Sequence, residues 1–201
     1  MNNPQNPAHR MNASCILLAA GEGSRMGTPK WKLEMPDGES FLRYLTRSYT
    51  GCGISTVVVT NSQDARAVQS ECLPEVKIAI NPSPGKGRLF SLICGIKQIP
   101  GDTPCFMQNI DNPFFCTTIV EQMLEKILLF DVVLPEHKGK GGHPVLLSPN
   151  ALRNISACPP PYPVLREYLA SMNTCRIAVD DPAVLLNINT PEAYIQFRAT
   201  P

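Results

Sequence analysis

The chain has 201 residues, of which 43% are hydrophobic and 17% are charged, and this is the composition of one ordinary globular domain. Its formal net charge of +1 provides no basic surface field, so we expect no binding to nucleic acid or to membrane surfaces. No apolar run approaches the roughly 20 residues needed to span a bilayer. The eight cysteines form neither CxxC pairs nor a Cys/His cluster, which predicts reduced, mostly buried thiols rather than zinc ligands or disulfides.

The first thirteen residues are polar and contain prolines. They lack the apolar centre of a signal peptide, so we expect a flexible tail over 1–13 and a single domain over 14–201. Met1 and Met11 are both candidate start residues. A cytoplasmic protein is the simplest expectation, and nothing in the residue pattern predicts an oligomeric state.

Short β-rich runs alternate with helix-period segments through the domain. Strands are predicted at 14–19, 55–60, 76–80, 104–108, 131–134, 144–148 and 174–179. Helices are predicted at 39–50, 62–71, 88–98, 117–129, 149–156, 163–172 and 190–198. The run at 57–59 is apolar at every position, which is typical of a parallel strand buried on both faces. The alternation predicts an α/β fold with right-handed crossovers and a mostly parallel, doubly wound central sheet.

A glycine-rich loop, within LLAAGEGSRMGTPK (17–30), follows the first predicted strand. Its glycines, at positions 21, 23 and 27, allow sharp turns that bring backbone N–H groups close to an anion. Arg25 and Lys30 add cationic side chains at the same place. The loop matches neither GxxxxGK[ST] nor GxGxxG. A strand that leads into such a loop nevertheless predicts a phosphate-binding site, and a turn with incidental surface charges is the alternative.

Asp111 follows a predicted strand that includes Phe106 and Met107, and Pro113 comes shortly after it. A carboxylate at the C-terminal end of a central strand suits Mg²⁺, which binds one or two carboxylates together with substrate phosphate oxygens. The alternative is a turn or helix N-cap aspartate, because Asp-Asn-Pro is also a turn signal. The local pattern alone leaves both roles open.

Five segments, in order between about residues 14 and 198, carry a resemblance to a known family. LLAAGEGSRMGTPK (17–30) resembles the signature LAAGxSxRMGxPK of the MobA-like nucleotidyltransferases, and it is most similar to the branch of the molybdenum cofactor cytidylyltransferases. The other segments are NPSPGKGRLFSLICGI (81–96, resembling NPxxxxGRxSSLxxGL), NIDNP (109–113, resembling GDQP or GDMP), GGHPVLLS (141–148, resembling GHPVLF) and LLNINTPEAY (185–194, resembling LLDIDTPEDY).

The resemblance implies a Rossmann-like three-layer sandwich of the nucleotide-diphospho-sugar-transferase type, with a small antiparallel excursion late in the chain. It also implies nucleotidyl transfer dependent on Mg²⁺, or on Mn²⁺, in which an acceptor phosphate attacks the α-phosphorus of a nucleoside triphosphate and pyrophosphate leaves. Asp111 matches the family's metal-binding acid. Asn189 stands where a second metal-binding aspartate is expected, and Asn187 replaces another aspartate. Capping of the helix that begins near Thr190 is an alternative role for Asn189.

The resemblance assigns further residues to the substrates. Those assigned to the nucleotide are Ala19, Ala20, Gly21, Gly23, Arg25, Lys30, Arg88 and Ser91. Arg25, Lys30 and Asp111 are the expected catalytic residues, since charge neutralisation dominates this type of reaction. Asn112 and His143 are expected to contact the acceptor. Arg88 is equally consistent with a solvated residue at a helix start.

The LAAG form of the signature favours CTP as the nucleotide, and a phosphorylated small molecule such as molybdopterin is the expected acceptor. A sugar phosphate or a phosphorylated alcohol is an alternative acceptor. Ile110, Asn187 and Asn189 depart from the family pattern, and they raise a different alternative, a nucleotide-binding protein with impaired catalysis.

Overall fold

The computed structural model describes residues 11–21 and 26–199. These residues form a mixed eight-stranded sheet with helices on both faces. Its strands are β1 Ser14–Leu18, β2 Ser55–Asn61, β3 Lys77–Asn81, β4 Cys105–Asn109, β5 Val132–His137, β6 Lys140–Gly141, β7 Val145–Leu147 and β8 Thr174–Ala178. Its α-helices are α1 Phe41–Gly51, α2 Ala65–Glu71, α3 Arg88–Ile96, α4 Thr117–Lys126, α5 Pro149–Ser156, α6 Leu165–Ala170 and α7 Pro191–Arg198.

The predicted strands and α-helices are all present within a few residues of their expected bounds, and the α/β fold class is confirmed. Two bounds differ for clear reasons. β5 continues to His137 because it forms an antiparallel hairpin with β6, a strand that the sequence pattern did not predict. α4 ends at Lys126, and Leu128 and Leu129 beyond it are 90% and 76% exposed, so their apolar character does not reflect a helix face against the sheet.

The strand order places a crevice next to β1. The order is β3-β2-β1-β4-β7-β5-β6, with β8 also paired to β5. β1 is parallel to β2 on one side and to β4 on the other, while β7 runs antiparallel to both β4 and β5. The chain progresses outward from β1 to β2 and β3 and then returns to β4 across β1. Ligands of open α/β sheets bind at the carboxyl ends of the strands where the order reverses in this way.

Alternate residues of β1 enter two separate cores. Cys15 and Leu17 pack in the core that contains the buried faces of α1 and α4, whereas Ile16 and Leu18 pack in the core of α3, α5 and α6. The side chains of a strand point to opposite faces, so a central strand that is buried throughout requires two helical layers. The result is a three-layer sandwich. None of the described helices is long and apolar enough to cross a bilayer.

The structure corrects the expected tail and refines the expected state of the cysteines. Residues 11–13 belong to the domain, because the Met11 amide donates to the carbonyl of Cys52 at 3.3 Å and Ala13 is buried.

All eight cysteines lie within the described residues and are unpaired. Cys15 and Cys105 are buried and the other six are half-buried, so full burial is less common among them than the sequence predicts.

Gly95 lets α3 approach the sheet closely. A Cβ atom at this position would lie 2.6 Å from Cγ2 of Ile16 and 2.9 Å from Cγ2 of Val59, both of which are buried. We expect Gly95→Ala to lower the free energy of unfolding by about 1–3 kcal/mol, because the core must shift to accept the methyl group. Urea denaturation measures this loss.

Gly101→Ala is the matched control for Gly95→Ala, since a Cβ atom at Gly101 meets nothing within 4 Å. An unchanged unfolding midpoint in Gly95→Ala would contradict the prediction, and it would show that α3 moves freely over β1 and β2.

Candidate active site

A cavity of about 300 Å³ opens at the carboxyl ends of β1 and β4, at the reversal of strand order. It brings together seven of the residues predicted for the site. They are Ala20, Gly21, Lys30, Arg88, Ser91, Asp111 and Asn189. Ala19 is buried at the end of β1, and its amide donates to the carbonyl of Val59 at 2.8 Å. Gly23 and Arg25 lie outside the described residues.

Three predicted residues from distant parts of the chain meet in this cavity. Lys30 Nζ donates to Asp111 Oδ2 at 3.0 Å and also to Asn189 Oδ1. Lys30 begins a short 3-10 helix, Asp111 follows β4, and Asn189 precedes α7. The side chains of Lys30 and Asp111 are only 18% and 8% exposed, so this ion pair is largely shielded from water. Two side-chain oxygens, one from Asp111 and one from Asn189, are therefore directed at one ammonium group.

The segment before α7 is fixed relative to Asp111 by its main chain. The amide of Ile188 donates to the carbonyl of Asp111 at 2.8 Å, and the Ile188 side chain is buried. The amide nitrogen of the Asn189 side chain donates to Asn187 Oδ1, which leaves Asn189 Oδ1 directed at Lys30. Asn187 therefore orients Asn189 as an acceptor of hydrogen bonds or a ligand of cations.

Helix capping does not explain Asn189. The N-cap of α7 is Thr190, whose side chain accepts from the amide of Ala193 at 3.2 Å. Asn189 lies one position too early for that role, and its side-chain oxygen is bonded to Lys30 instead. The alternative of a purely capping asparagine is thereby wrong.

The N-terminus of α3 forms another wall of the cavity. Gly87 precedes this helix with a φ of +90°, and Arg88 and Ser91 line the cavity. Arg88 is exposed and forms no ion pair with any described carboxylate. Ser91 Oγ accepts from the side-chain amide of the buried Asn81 at 2.9 Å, so its position is fixed. An anion is favoured here by the free helical N–H groups and by the guanidinium.

Asn112 does not line the cavity, which corrects the prediction that it contacts an acceptor. Its side chain is completely buried. Its Nδ2 donates to the carbonyl of Leu186 at 2.6 Å, and its Oδ1 accepts from Gln108 Nε2 at 2.9 Å. Asn112 is therefore a positioning residue that joins the end of β4 to the segment that leads to Asn189. The motif gave no sign of this burial, because the carbonyl that accepts from Asn112 belongs to Leu186, 74 positions away.

His143, the other residue predicted for the acceptor, lies behind the cavity wall. Its Nε2 is 3.0 Å from Asn109 Nδ2, and Asn109 lines the cavity. An amide nitrogen only donates, so Nε2 accepts and the ring proton belongs on Nδ1, which is buried without a partner. Burial lowers the pKa of His143 to about 4, although the nearby Asp111 carboxylate opposes this shift. The imidazole is neutral near pH 7, which excludes it as a cationic contact to phosphate.

The depressed pKa of His143 predicts a stability change between pH 7 and 4.5. The unfolded chain binds a proton near pH 6.5 and the folded chain does so only near pH 4, so folding stability falls as the pH decreases through this window. We expect His143 to contribute about 2 kcal/mol of this loss. Urea denaturation at both pH values, compared with His143→Gln, isolates the contribution from that of the carboxylates. If the free energy of unfolding depends on pH equally in wild type and His143→Gln, the prediction is wrong.

Asn109 is a lining residue that sequence reasoning missed. The predicted strand ended at 108, whereas β4 includes Asn109 as its last residue. The available signal was the asparagine at the ends of three of the four parallel strands β1–β4, since β2 and β3 end in Asn61 and Asn81. Polar residues at the carboxyl ends of otherwise apolar strands mark the ligand-binding edge of such a sheet.

The oxygen ligands fit a divalent metal of the hard class. Asp111 and Asn189 supply one carboxylate and one amide oxygen, and Mg²⁺ sites commonly use few protein ligands with waters and substrate phosphates. The described residues contain no cluster of three or more His, Cys, Asp or Glu side chains that could hold a metal. Any metal at this position would therefore depend on further ligands from a substrate.

A known protein family and several known proteins resemble this chain. A family model for the MobA-like NTP transferase domain matches residues 15–174. The chain is 25% identical over 189 residues to the molybdenum cofactor cytidylyltransferase of Escherichia coli K12, covering 90% of this chain and 93% of that protein. It is 31% identical over 101 residues to a probable molybdenum cofactor guanylyltransferase of Rhodopirellula baltica, covering 49% and 47% of the two chains.

A solved structure shows the same fold over almost the whole chain. The manganese complex of a Mycobacterium tuberculosis H37Rv protein superposes with a TM-score of 0.76 at 15% identity. The match covers 95% of this chain and 100% of that chain. Likeness at this identity concerns the fold alone.

Proposed function

Since the chain belongs to the MobA-like NTP transferase family, we propose that it transfers a nucleoside monophosphate from a nucleoside triphosphate to a phosphorylated small molecule, with release of pyrophosphate. It is a nucleotidyltransferase related to molybdenum cofactor cytidylyl- and guanylyltransferases. The observation that carries the proposal is the convergence of Lys30, Asp111 and Asn189 in the cavity at the carboxyl ends of β1 and β4.

The residues around the cavity supply what this reaction requires. A phosphate oxygen of the acceptor attacks the α-phosphorus of the nucleotide, and the bond from that phosphorus to the bridging β-phosphate oxygen breaks. Positioning and charge neutralisation dominate such a transfer, with little demand for acid–base groups. Lys30, Arg88 and the N-terminus of α3 surround the space for the phosphates. Arg25 is proposed to act with them from the glycine loop.

Asp111 and Asn189 would hold the divalent metal, with Mg²⁺ as the first choice and Mn²⁺ as a substitute. When bound, such an ion neutralises charge on the phosphate oxygens and acts as a Lewis acid. Asn187 keeps the oxygen of Asn189 directed at this position. Asn112 keeps the strand end and the segment before α7 in register.

The identities of the nucleotide and the acceptor are proposed from the motif. The base would lie against the backbone of Ala19, Ala20 and Gly21, and the LAAG form of this segment favours CTP. Molybdopterin is the proposed acceptor, in keeping with the cytidylyltransferase that the chain resembles. His143 would influence the acceptor only through Asn109. The expected cytoplasmic location stays a prediction from the sequence.

A second candidate function is nucleotide binding with impaired turnover. The observation that favours it is the single carboxylate among the lining residues, since Asn189 contributes an oxygen but no charge. The two functions differ in whether pyrophosphate is released when an acceptor is present.

Pyrophosphate release, screened over four nucleoside triphosphates with Mg²⁺ or Mn²⁺, tests the proposal. The acceptor panel includes molybdopterin, a sugar phosphate and a phosphorylated alcohol. We expect the highest rate with CTP and molybdopterin. Binding of nucleotide without pyrophosphate release for any acceptor would favour the impaired protein, and a preference for GTP would overturn the assignment of CTP.

A further inference from the structure

The oxygen atoms available to a metal are already bonded to a cation of the chain itself. Lys30 Nζ donates to both Asp111 Oδ2 and Asn189 Oδ1. A divalent ion held by the same two oxygens would have to replace the Lys30 ammonium. A metal ion and the Lys30 ammonium therefore compete for the same ligands.

The charge of the cavity wall favours the lysine over a free metal ion. Asp111 is the one carboxylate among the described residues that line the cavity, and Lys30 already balances its charge. Asn189 adds a dipole without a charge, and Arg88 adds a further positive charge. A divalent ion entering alone would meet two cationic side chains and no unpaired anion. The repulsion from Lys30 is the stronger of the two, because Lys30 is largely shielded from water whereas Arg88 is exposed.

A triphosphate changes this balance. Its negative oxygens offer the Lys30 ammonium a stronger partner than one shared carboxylate, and they also offer the metal several ligands. Movement of Lys30 onto the phosphates would release Asp111 Oδ2 and Asn189 Oδ1 together. The cavity has room beside Lys30 for such a group, because Gly21, Gly87 and Ser91 line the same space.

We propose that Lys30 closes the metal site in the free protein, so that a divalent ion binds only together with the nucleotide. This inference rests on the proposed function, because it assigns the phosphates of that substrate as the group that removes Lys30. By linkage, the metal and the nucleotide then increase each other's affinity by the same factor.

Titration of the full-length protein with Mn²⁺, followed by the electron paramagnetic resonance signal of free Mn²⁺, tests the proposal without turnover. We expect wild type to bind Mn²⁺ weakly when no nucleotide is present. Lys30→Met keeps most of the length of the side chain and removes its charge, so it should bind Mn²⁺ about tenfold or more tightly than wild type. Asn189→Asp adds a negative charge at the same ligand position and should also increase Mn²⁺ affinity.

Lys32→Met is the matched control, because Lys32 is exposed and its ammonium lies over the Trp31 ring, 5.0 Å from the centroid.

A further variant shows where the ion binds. Adding Asp111→Asn to Lys30→Met should remove the gained affinity, since the charged ligand is lost. Wild type that binds Mn²⁺ alone as tightly as a folded Lys30→Met variant would overturn the proposal, as would an equal gain in Lys32→Met. These titrations use neither acceptor nor turnover. Failure of pyrophosphate release would therefore contradict the proposed function, whereas the Mn²⁺ titrations test the competition between Lys30 and metal independently.

Discussion

Replacing Asp111 with asparagine is expected to reduce the rate of pyrophosphate release by about 10²–10³-fold or more, the range seen when one preorganised electrostatic contact is removed. The substitution keeps the size of the side chain and an oxygen near Lys30 Nζ, which now lies 3.0 Å from Asp111 Oδ2. It removes the negative charge that balances Lys30 and that would hold the metal. A continuous pyrophosphate assay at saturating nucleotide and acceptor measures the loss.

The control for Asp111→Asn is Asp102→Asn, which changes an exposed turn residue outside the cavity by the same chemistry. It should retain wild-type activity. Raising the Mn²⁺ concentration should recover part of the activity of Asp111→Asn, because an amide oxygen still ligates a metal weakly. A fully active Asp111→Asn protein would show that the carboxylate has no role in the reaction.

Replacing Asn112 with alanine is expected to lower the free energy of unfolding by about 2–4 kcal/mol, because it removes the hydrogen bonds that a completely buried side chain forms with Leu186 and Gln108. The carbonyl of Leu186 loses this donor, whereas the side-chain amide of Gln108 loses one acceptor and keeps the main-chain carbonyl of residue 112. The lost volume of a completely buried side chain adds a further cost. Urea denaturation at pH 7 measures the change.

Asn154→Ala provides the comparison for Asn112→Ala, since Asn154 is an exposed residue of α5. Its free energy of unfolding should change by no more than about 0.5 kcal/mol. A small effect in Asn112→Ala would mean that water replaces the lost donor to the Leu186 carbonyl and that the end of β4 is less rigid than its contacts indicate.

The sequence was sufficient to predict the elements of the fold and to select three residues that meet in the cavity. β1 is apolar from Cys15 to Leu18 and β2 from Val57 to Val59, so local composition identifies these strands. Lys30, Asp111 and Asn189 each follow or precede a predicted element, and the carboxyl ends of parallel strands meet at one edge of the sheet.

The environment of individual side chains could not be predicted in the same way. Asn112 and His143 both lie in segments that look suited to a ligand, yet their surroundings depend on residues from other parts of the fold. Leu186 supplies the carbonyl that accepts from Asn112, and Asn109 supplies the amide that fixes His143. Burial by distant segments leaves no local pattern in the sequence, and only the assembled sheet reveals it.

Because β7 is antiparallel to β4, it contributes a different kind of loop to the ligand-binding edge of the sheet. In a parallel strand, the loop that follows the strand faces this edge, whereas β7 presents the loop that precedes it. The loop before β7 therefore lies at this edge, where His143 contacts the lining residue Asn109. Under the proposed function, changes in the length of the β5–β6 hairpin would alter the surroundings of His143 without altering β1, β2 or β3. The nucleotide would then depend on one half of the edge, and we expect acceptor selectivity to diverge in the other half.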